Sequence, residues 1–282
     1  MNIAMEPDAK AAPSPTIAEN LCRVVSNAPV NSEYRLLVTA APPLALTIRA
    51  GQFFHLACPA IGEDQPFLRR PMSIYQADLA RGEISFLYKV QGAGTRGLAS
   101  LRPGDTLDAL GPLGRGFVVP PDSRHMLLLA RGVGLATLAP LAGLARDNGV
   151  AVTAVLSARS PGLIMSEAYL RSMGATTAIV TDATGDSSVE QIETLLQTIH
   201  AERPIDFVAT CGSNRLLTLL QRLAAEWSIE GQVALEQHMG CGMGMCFACV
   251  RPFRTADGAE DYRRVCWDGP VFDLQEATAW LT

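Results

Sequence analysis

The chain has 282 residues, 48% of them hydrophobic and 18% charged, with a formal net charge of −5. That length gives room for two domains and a sizeable core; the acidic balance, with no basic block, argues against nucleic acid as a partner, and no uninterrupted apolar run is long enough to span a membrane. Seven cysteines are an odd number, and four of them crowd between Cys241 and Cys266, which argues against a secreted disulfide framework and for a metal site in a reducing, cytoplasmic setting.

Residues 1–16 carry Glu6, Asp8 and Lys10 and three prolines, with no apolar central stretch. They do not read as a secretory signal and are expected to be a disordered tail. Residues 17–119 read as all-β. Gly51–Cys58 and Glu83–Val90 are short and rich in aromatic or β-branched residues, and in the second Ile84, Phe86, Tyr88 and Val90 alternate onto one face. Turn residues such as Pro42-Pro43, Pro103-Gly104 and Gly111-Pro112 separate these runs. Several short strands at that spacing predict a small antiparallel barrel.

Two features on that barrel carry chemistry together. Arg70, Pro71, Met72 and Ser73 follow a strand and loop, and Gly92, Gly94 and Thr95 follow the strand ending at Val90. Glycines there would let backbone N–H groups reach a diphosphate, a threonine hydroxyl would add a hydrogen bond, and an arginine would contact the same anion. A dinucleotide flavin is the ligand this predicts; taken alone, the arginine stretch reads equally well as an exposed edge strand.

From 120 to 236 the rhythm turns to strand, helix, strand. Strands are predicted at His125–Ala130, Val150–Ser157, Ala175–Thr181, Ile205–Cys211 and Val233–Glu236. Helices are predicted at Leu135–Asp147, at Ser166–Met173, behind a capping box at Ser188 and Gln191, and at Leu216–Trp227. Alternation of this kind implies a parallel sheet with helices on both faces. The turn Arg131-Gly132-Val133-Gly134 joins the first strand to its helix, and Gly132 and Gly134 suit a nucleotide diphosphate. Arg131 is the anomaly: its side chain either contacts a phosphate or crowds the cradle. Cys211-Gly212-Ser213 lies at the C-terminal edge of the sheet, where ligands commonly bind; Cys211 also reads as a buried cysteine at a strand end.

Residues 237–282 hold cysteines, glycines and turns with little periodicity. Cys241-x4-Cys246-x2-Cys249-x16-Cys266 has the plant-type spacing that places four thiolates on a [2Fe–2S] cluster, and Gly240, Gly242 and Gly244 permit the tight loop this needs. Structural zinc is the rival reading, though it more often uses two C-x2-C pairs. The histidines His55, His125, His200 and His238 show no metal spacing, and no arrangement for hydrolysis stands out.

Those same stretches resemble the ferredoxin-reductase superfamily and, within it, the electron-transfer subunits of NAD-linked dihydroorotate dehydrogenase. The resemblance covers the chain beyond residue 16. Its most specific parts are Gly240–Val250 and Val265–Phe272. It implies an FAD barrel, a nicotinamide-nucleotide domain and a C-terminal [2Fe–2S] segment. It further implies that Arg70, Gly94 and Thr95 hold the FAD diphosphate, that Ser73 bonds the flavin ring, that Cys211 lies by the nicotinamide, and that a separate FMN subunit oxidises dihydroorotate in a hetero-oligomer serving pyrimidine biosynthesis. The chain departs from the family pattern at Arg131, Thr137 and Ser213. Two other functions stay open on the residues: a sulfide-, hydrogenase- or ferredoxin-linked reductase subunit of the same plan, and an electron carrier that holds FAD and cluster but has lost nucleotide turnover.

Overall fold

A computed structural model describes residues 17–279; the expected N-terminal tail lies outside the described residues. The first 100 or so of these residues form a seven-stranded antiparallel sheet. Its strands are β1 (Ala18–Pro29), β2 (Tyr34–Ala40), β3 (Phe53–Leu56), β4 (Arg70–Ser73), β5 (Gln76–Asp78), β6 (Glu83–Lys89) and β7 (Thr106–Leu113). Their order across the sheet is β4-β3-β7-β1-β2-β6-β5. The two edge strands are β4 and β5, yet only Ile74 and Tyr75 separate them in the chain. The sheet must therefore curl until its edges meet, which is how a small antiparallel sheet becomes a barrel. The alternation in β6 sends Ile84, Phe86 and Tyr88 into the barrel core with Cys22, Phe54 and Leu56, as expected, while Leu87 on the other face packs outward.

The all-β expectation for this region misses one helix. Gly92-Ala93-Gly94-Thr95 is not a free loop: it opens α1 (Ala93–Ser100). The Thr95 hydroxyl accepts from the backbone N–H groups of Gln91 and Gly92 at 2.9 and 3.1 Å, closing the first turn from its third position. Leu98 then plugs the barrel core with no exposure.

The second sheet comprises β8 (His125–Arg131), β9 (Ala151–Ala158), β10 (Thr176–Thr181), β11 (Phe207–Cys211), β12 (Glu230–Ala234) and β15 (Val271–Asp273). The helices between its strands are α2 (Gly134–Asp147), α3 (Glu167–Ser172), α4 (Val189–Glu202) and α5 (Asn214–Trp227). Strand order is β10-β9-β8-β11-β12-β15, and the first five pair in parallel. β8 shows why it is apolar throughout. Met126, Leu128 and Ala130 face the α2–α3 layer, and Leu127 and Leu129 face the α4–α5 layer. Ser188 caps α4 as read from the sequence, its side chain accepting from Gln191 N–H at 3.2 Å.

The chain winds outward from β8 in one direction through β9 and β10, then in the other through β11 and β12. The reversal falls between β8 and β11, whose ends align with Cys211 opposite Ala130. Such a switch point opens a crevice for a ligand at the strands' C-terminal ends.

The C-terminal segment contributes a hairpin, β13 (Val250–Arg254) with β14 (Glu260–Arg264), and β15, which pairs antiparallel with β12. It is less self-contained than its sequence suggests. Phe253, Val265, Phe272 and Leu274 join one apolar cluster with Leu217 and Leu220 of α5 and with Phe53 and Leu113 of the barrel. No helix among the described residues is long and apolar enough to cross a membrane.

Candidate functional site

Three sites meet where the barrel, the parallel sheet and the cysteine segment touch. The first is on the barrel. Arg70, Pro71, Met72 and Ser73 are β4, each half-buried, and β4 pairs with β3 so that Ser73 lies opposite Phe53. Arg70 reaches across to the start of α1. A Cβ placed on Gly94 would come within 2.7 Å of Arg70 Nε, so only glycine lets the guanidinium lie there. Arg70 and the first turn of α1, with Gly92, Gly94 and Thr95, thus converge, and a guanidinium over helix N-terminal amides fits a diphosphate. The Thr95 hydroxyl is engaged with the helix start. A cavity of about 200 Å³ continues from this point, lined by Pro71, Met72, Ser73, Thr95, Thr137 and Glu236.

The second site is the switch point. A Cβ on Gly134 would meet the Cys211 carbonyl at 2.5 Å, so α2 lies as close to β11 as a backbone without side chain allows. Gly134 therefore serves helix–strand packing, and the Gly132 N–H is engaged by the Ser157 carbonyl at 3.0 Å. Arg131 does not fill the turn. Its guanidinium runs along the sheet edge to Ser157 Oγ at 2.9 Å and Asp182 Oδ2 at 2.6 Å. A cleft of about 300 Å³ lies beyond, lined by Cys211, Gly212, Ser213, Asn214, Glu236 and Arg251.

Cys211 is buried in the wall of this cleft, at 1% exposure. Burial pushes its thiol far above the ordinary range, and nearby Glu236 adds to the rise while a hydrogen bond with Thr137 opposes it. A thiol held neutral in this way is a poor nucleophile and suits a packing or positioning role. Glu236 lines both cavities and is exposed to them; the protein packed around it disfavours its charged form and raises its carboxyl.

Thr137 links the two cavities. It is 4% exposed, and its hydroxyl donates to Ser73 Oγ at 2.8 Å. With its bond to Cys211 it forms a chain Ser73–Thr137–Cys211 from the barrel to β11. From sequence this residue stood out only as a departure from the family pattern. Its contacts come from residues more than sixty positions away on either side, so local pattern carried no signal.

The third site is the cysteine nest. The thiols fall into two pairs. The Cys241 thiol shares a side-chain hydrogen bond with Cys246, whose Sγ also accepts from the Cys241 backbone N–H at 3.4 Å, and Cys249 Sγ lies 3.2 Å from Cys266 Sγ. Two irons bridged by sulfide need one thiolate pair each, whereas a single zinc needs all four on one point; the nest fits the cluster. Backbone amides converge on the same sulfurs. Met243 and Met245 donate to Cys241 Sγ at 3.4 and 3.3 Å, and Gly244 donates to Cys266 Sγ at 3.2 Å. Burial alone would raise the Cys241 thiol, but these amides outweigh it and bring it down to about 7. Cys266 is pushed up to about 12, first by burial and then by its neighbour Cys249. Arg264 ties the loop to the second segment by donating to the Gly244 carbonyl at 3.3 Å and to both oxygens of Asp268 at 3.0 and 3.1 Å.

The segment spanning 236–278 matches the model of the iron–sulfur cluster binding domain of dihydroorotate dehydrogenase B, and 21–117 matches the oxidoreductase FAD-binding domain. The dihydroorotate dehydrogenase B (NAD(+)) electron transfer subunit of Geobacillus sp. strain WCH70 is 36% identical over 232 residues, which cover 80% of this chain and 85% of that one. The chain belongs to the dihydroorotate dehydrogenase B electron transfer subunit family. Another member, from Desulforamulus reducens, is 33% identical over 82% of this chain and 87% of its own. Among solved structures, a chain of an NADH-dependent reduced ferredoxin–NADP oxidoreductase superposes with a TM-score of 0.75 at 25% identity, covering 92% of this chain and 90% of that one. The ferredoxin–NADP+ reductase of Plasmodium falciparum shares the fold, with a TM-score of 0.58 at 12% identity over 77% of this chain and 96% of that one.

The structure brings the predicted residues of this family member together as three neighbouring groups: Arg70–Ser73 with Gly92–Thr95, Gly132 and Gly134 with Cys211, and the four clustered cysteines. Sequence reasoning missed Thr137, Glu236 and His55 as site residues. Burial and then the charge of Arg69 push the His55 imidazole down to about 4, so it is neutral.

Proposed function

We propose that the chain is the electron-transfer half of a two-protein dihydroorotate dehydrogenase. In this reading it passes electrons from an FMN-bearing catalytic partner to NAD, within the cytoplasm and in the service of pyrimidine synthesis. The observation that carries it is the placement of the cysteine nest against the outer face of β3, the strand that pairs with the flavin strand β4, with the switch-point cleft adjoining the flavin cavity at Leu235 and Glu236. When bound, FAD exchanges a hydride with the nicotinamide and single electrons with the cluster, which carries one at a time.

The chain's own groups supply the rest. Arg70 and the amides of α1 would hold the FAD diphosphate. Ser73, fixed by Thr137, would present its hydroxyl to the flavin ring. The turn from Gly132 to Gly134 and the Cys211 edge would seat the nucleotide. The four thiolates and their amide donors would hold and tune the cluster. The nest is rimmed by exposed Met243, Met245, Phe247 and Trp267, an apolar collar of the kind that seats a partner. We place the domain boundaries at 119 and 236.

The position of Arg131 favours retained nucleotide turnover over a carrier that has lost it, because the side chain is committed to Asp182 and leaves the turn open. An anaerobic titration of the purified protein with NADH separates these readings. Bleaching of the flavin band together with the iron–sulfur absorption supports the relay; chromophores that stay oxidised would move the carrier reading ahead. Orotate formed by the isolated chain from dihydroorotate would refute the division of labour between two proteins.

A further inference from the structure

His55 sits where the barrel meets the cysteine nest. Along β3, Phe54 and Leu56 point into the barrel core, so Phe53 and His55 point out of it. Phe53 packs in the same apolar cluster as Cys249 and Cys266, and its ring lies 5.8 Å from that of His55. The imidazole is 1% exposed. It lies against the loop of the first two ligands. A Cβ on Gly242 would stand 3.0 Å from His55 Cε1 and Nδ1 and 3.1 Å from Nε2, and Gly242 itself holds a φ of +72°. The loop thus needs glycine twice over at this position, once for its turn and once for the histidine beneath it.

The Nε2 atom of His55 is buried and has no hydrogen-bond partner among the described residues. A buried polar nitrogen left without a partner is costly, and a leucine of similar size would fill the same space without that cost. The ring abuts Gly242, the residue after the ligand Cys241, so a sulfur held by that loop is the acceptor that would relieve it. We propose that His55 is a positioning and tuning residue for the [2Fe–2S] centre, its Nε2–H donating to a sulfur of the nest from the flavin side. One residue of β3 then touches the cluster loop while its backbone pairs with Pro71 of the flavin strand. A donor aimed at sulfur favours the reduced centre, which carries one more negative charge, and so raises its reduction potential.

The test uses the full-length protein carrying FAD and cluster. In His55→Leu, EPR-monitored redox titration is expected to show the cluster's reduction constant about tenfold smaller, a midpoint ~59 mV more negative for one electron, with the FAD midpoint unmoved. His55→Gln, which restores an N–H donor, returns the midpoint toward wild type. Independently of any change at His55, 15N-histidine-labelled protein in a His238→Gln background is expected to show nitrogen hyperfine coupling to the reduced cluster in pulsed EPR. An unchanged cluster midpoint and EPR signal in His55→Leu would overturn the proposal. So would the absence of nitrogen coupling in the labelled protein, which decides the matter even where the leucine variant does not fold or does not load its cluster.

Discussion

Replacing Thr137 with valine removes one hydroxyl and keeps the volume. Thr137 donates to Ser73 Oγ at 2.8 Å in a site where it is 4% exposed, so the valine leaves Ser73 and Cys211 each short of a partner. A lost hydrogen bond with its acceptor left behind costs about 1–2 kcal/mol. At roughly 2–4 °C per kcal/mol for a domain of this size, melting should fall by a few degrees. The larger consequence is expected in rate. Ser73 is the residue we place at the flavin ring, and a hydroxyl free to rotate loses about one order of magnitude in flavin reduction by NADH for each ~1.4 kcal/mol of lost orientation. Stopped-flow measurement of flavin bleaching gives the rate, and urea denaturation of the same samples gives the stability. Thr137→Ser keeps the donor and should recover both. A double-mutant cycle with Ser73→Ala isolates the pair, with an expected coupling near 1 kcal/mol. Additive effects, with no coupling in rate or stability, would refute the link between Thr137 and Ser73.

Gly134→Ala forces a methyl to 2.5 Å from the Cys211 carbonyl; overpacking should cost about 1–3 kcal/mol in urea denaturation and weaken NADH binding, with FAD content unchanged. Arg131→Ala breaks a half-exposed ion pair with Asp182, so stability should drop by no more than about 1 kcal/mol and the NADH dissociation constant should move by less than about fivefold; loss of binding would mean that the arginine serves the nucleotide itself. In cluster-free protein, Cys241, lowered to about 7, gains thiolate as pH rises through that value, so its alkylation rate should climb and level off above neutrality. Cys266, pushed up to about 12, stays a thiol over that range and should remain unlabelled until the protein is denatured, as read by mass spectrometry of the tryptic peptides.

What could be read from the sequence divides along physical lines. The cluster ligands were legible because three of them sit in one loop, where spacing in the chain is spacing in space. The parallel sheet was legible because apolar strand runs such as β8 alternate with helices along the chain; the switch point was not, because the strand order is set by packing across the sheet. α1 was hidden because Gly-Ala-Gly-Thr has poor intrinsic helicity; it forms because Thr95 closes its first turn and Leu98 is drawn into the barrel. β15 is three residues long and gains strand geometry only by pairing with β12. The fate of the Arg131 side chain depended on Asp182, fifty-one residues further on, and no local pattern records such a pairing.

The pairing of β15 with β12 also bears on how such a chain can be inherited. If it ended after Glu236, β12 would become an open edge, with unpaired donors and acceptors facing solvent and Val233 and Ala234 beside them, which is a template for association with other copies. The metal-binding portion is therefore the border strip of the nucleotide-binding portion as well as its redox neighbour. A recombination event that separated the two would give fragments prone to clump, so the pair should travel through evolution as a single cassette even where the partner protein changes.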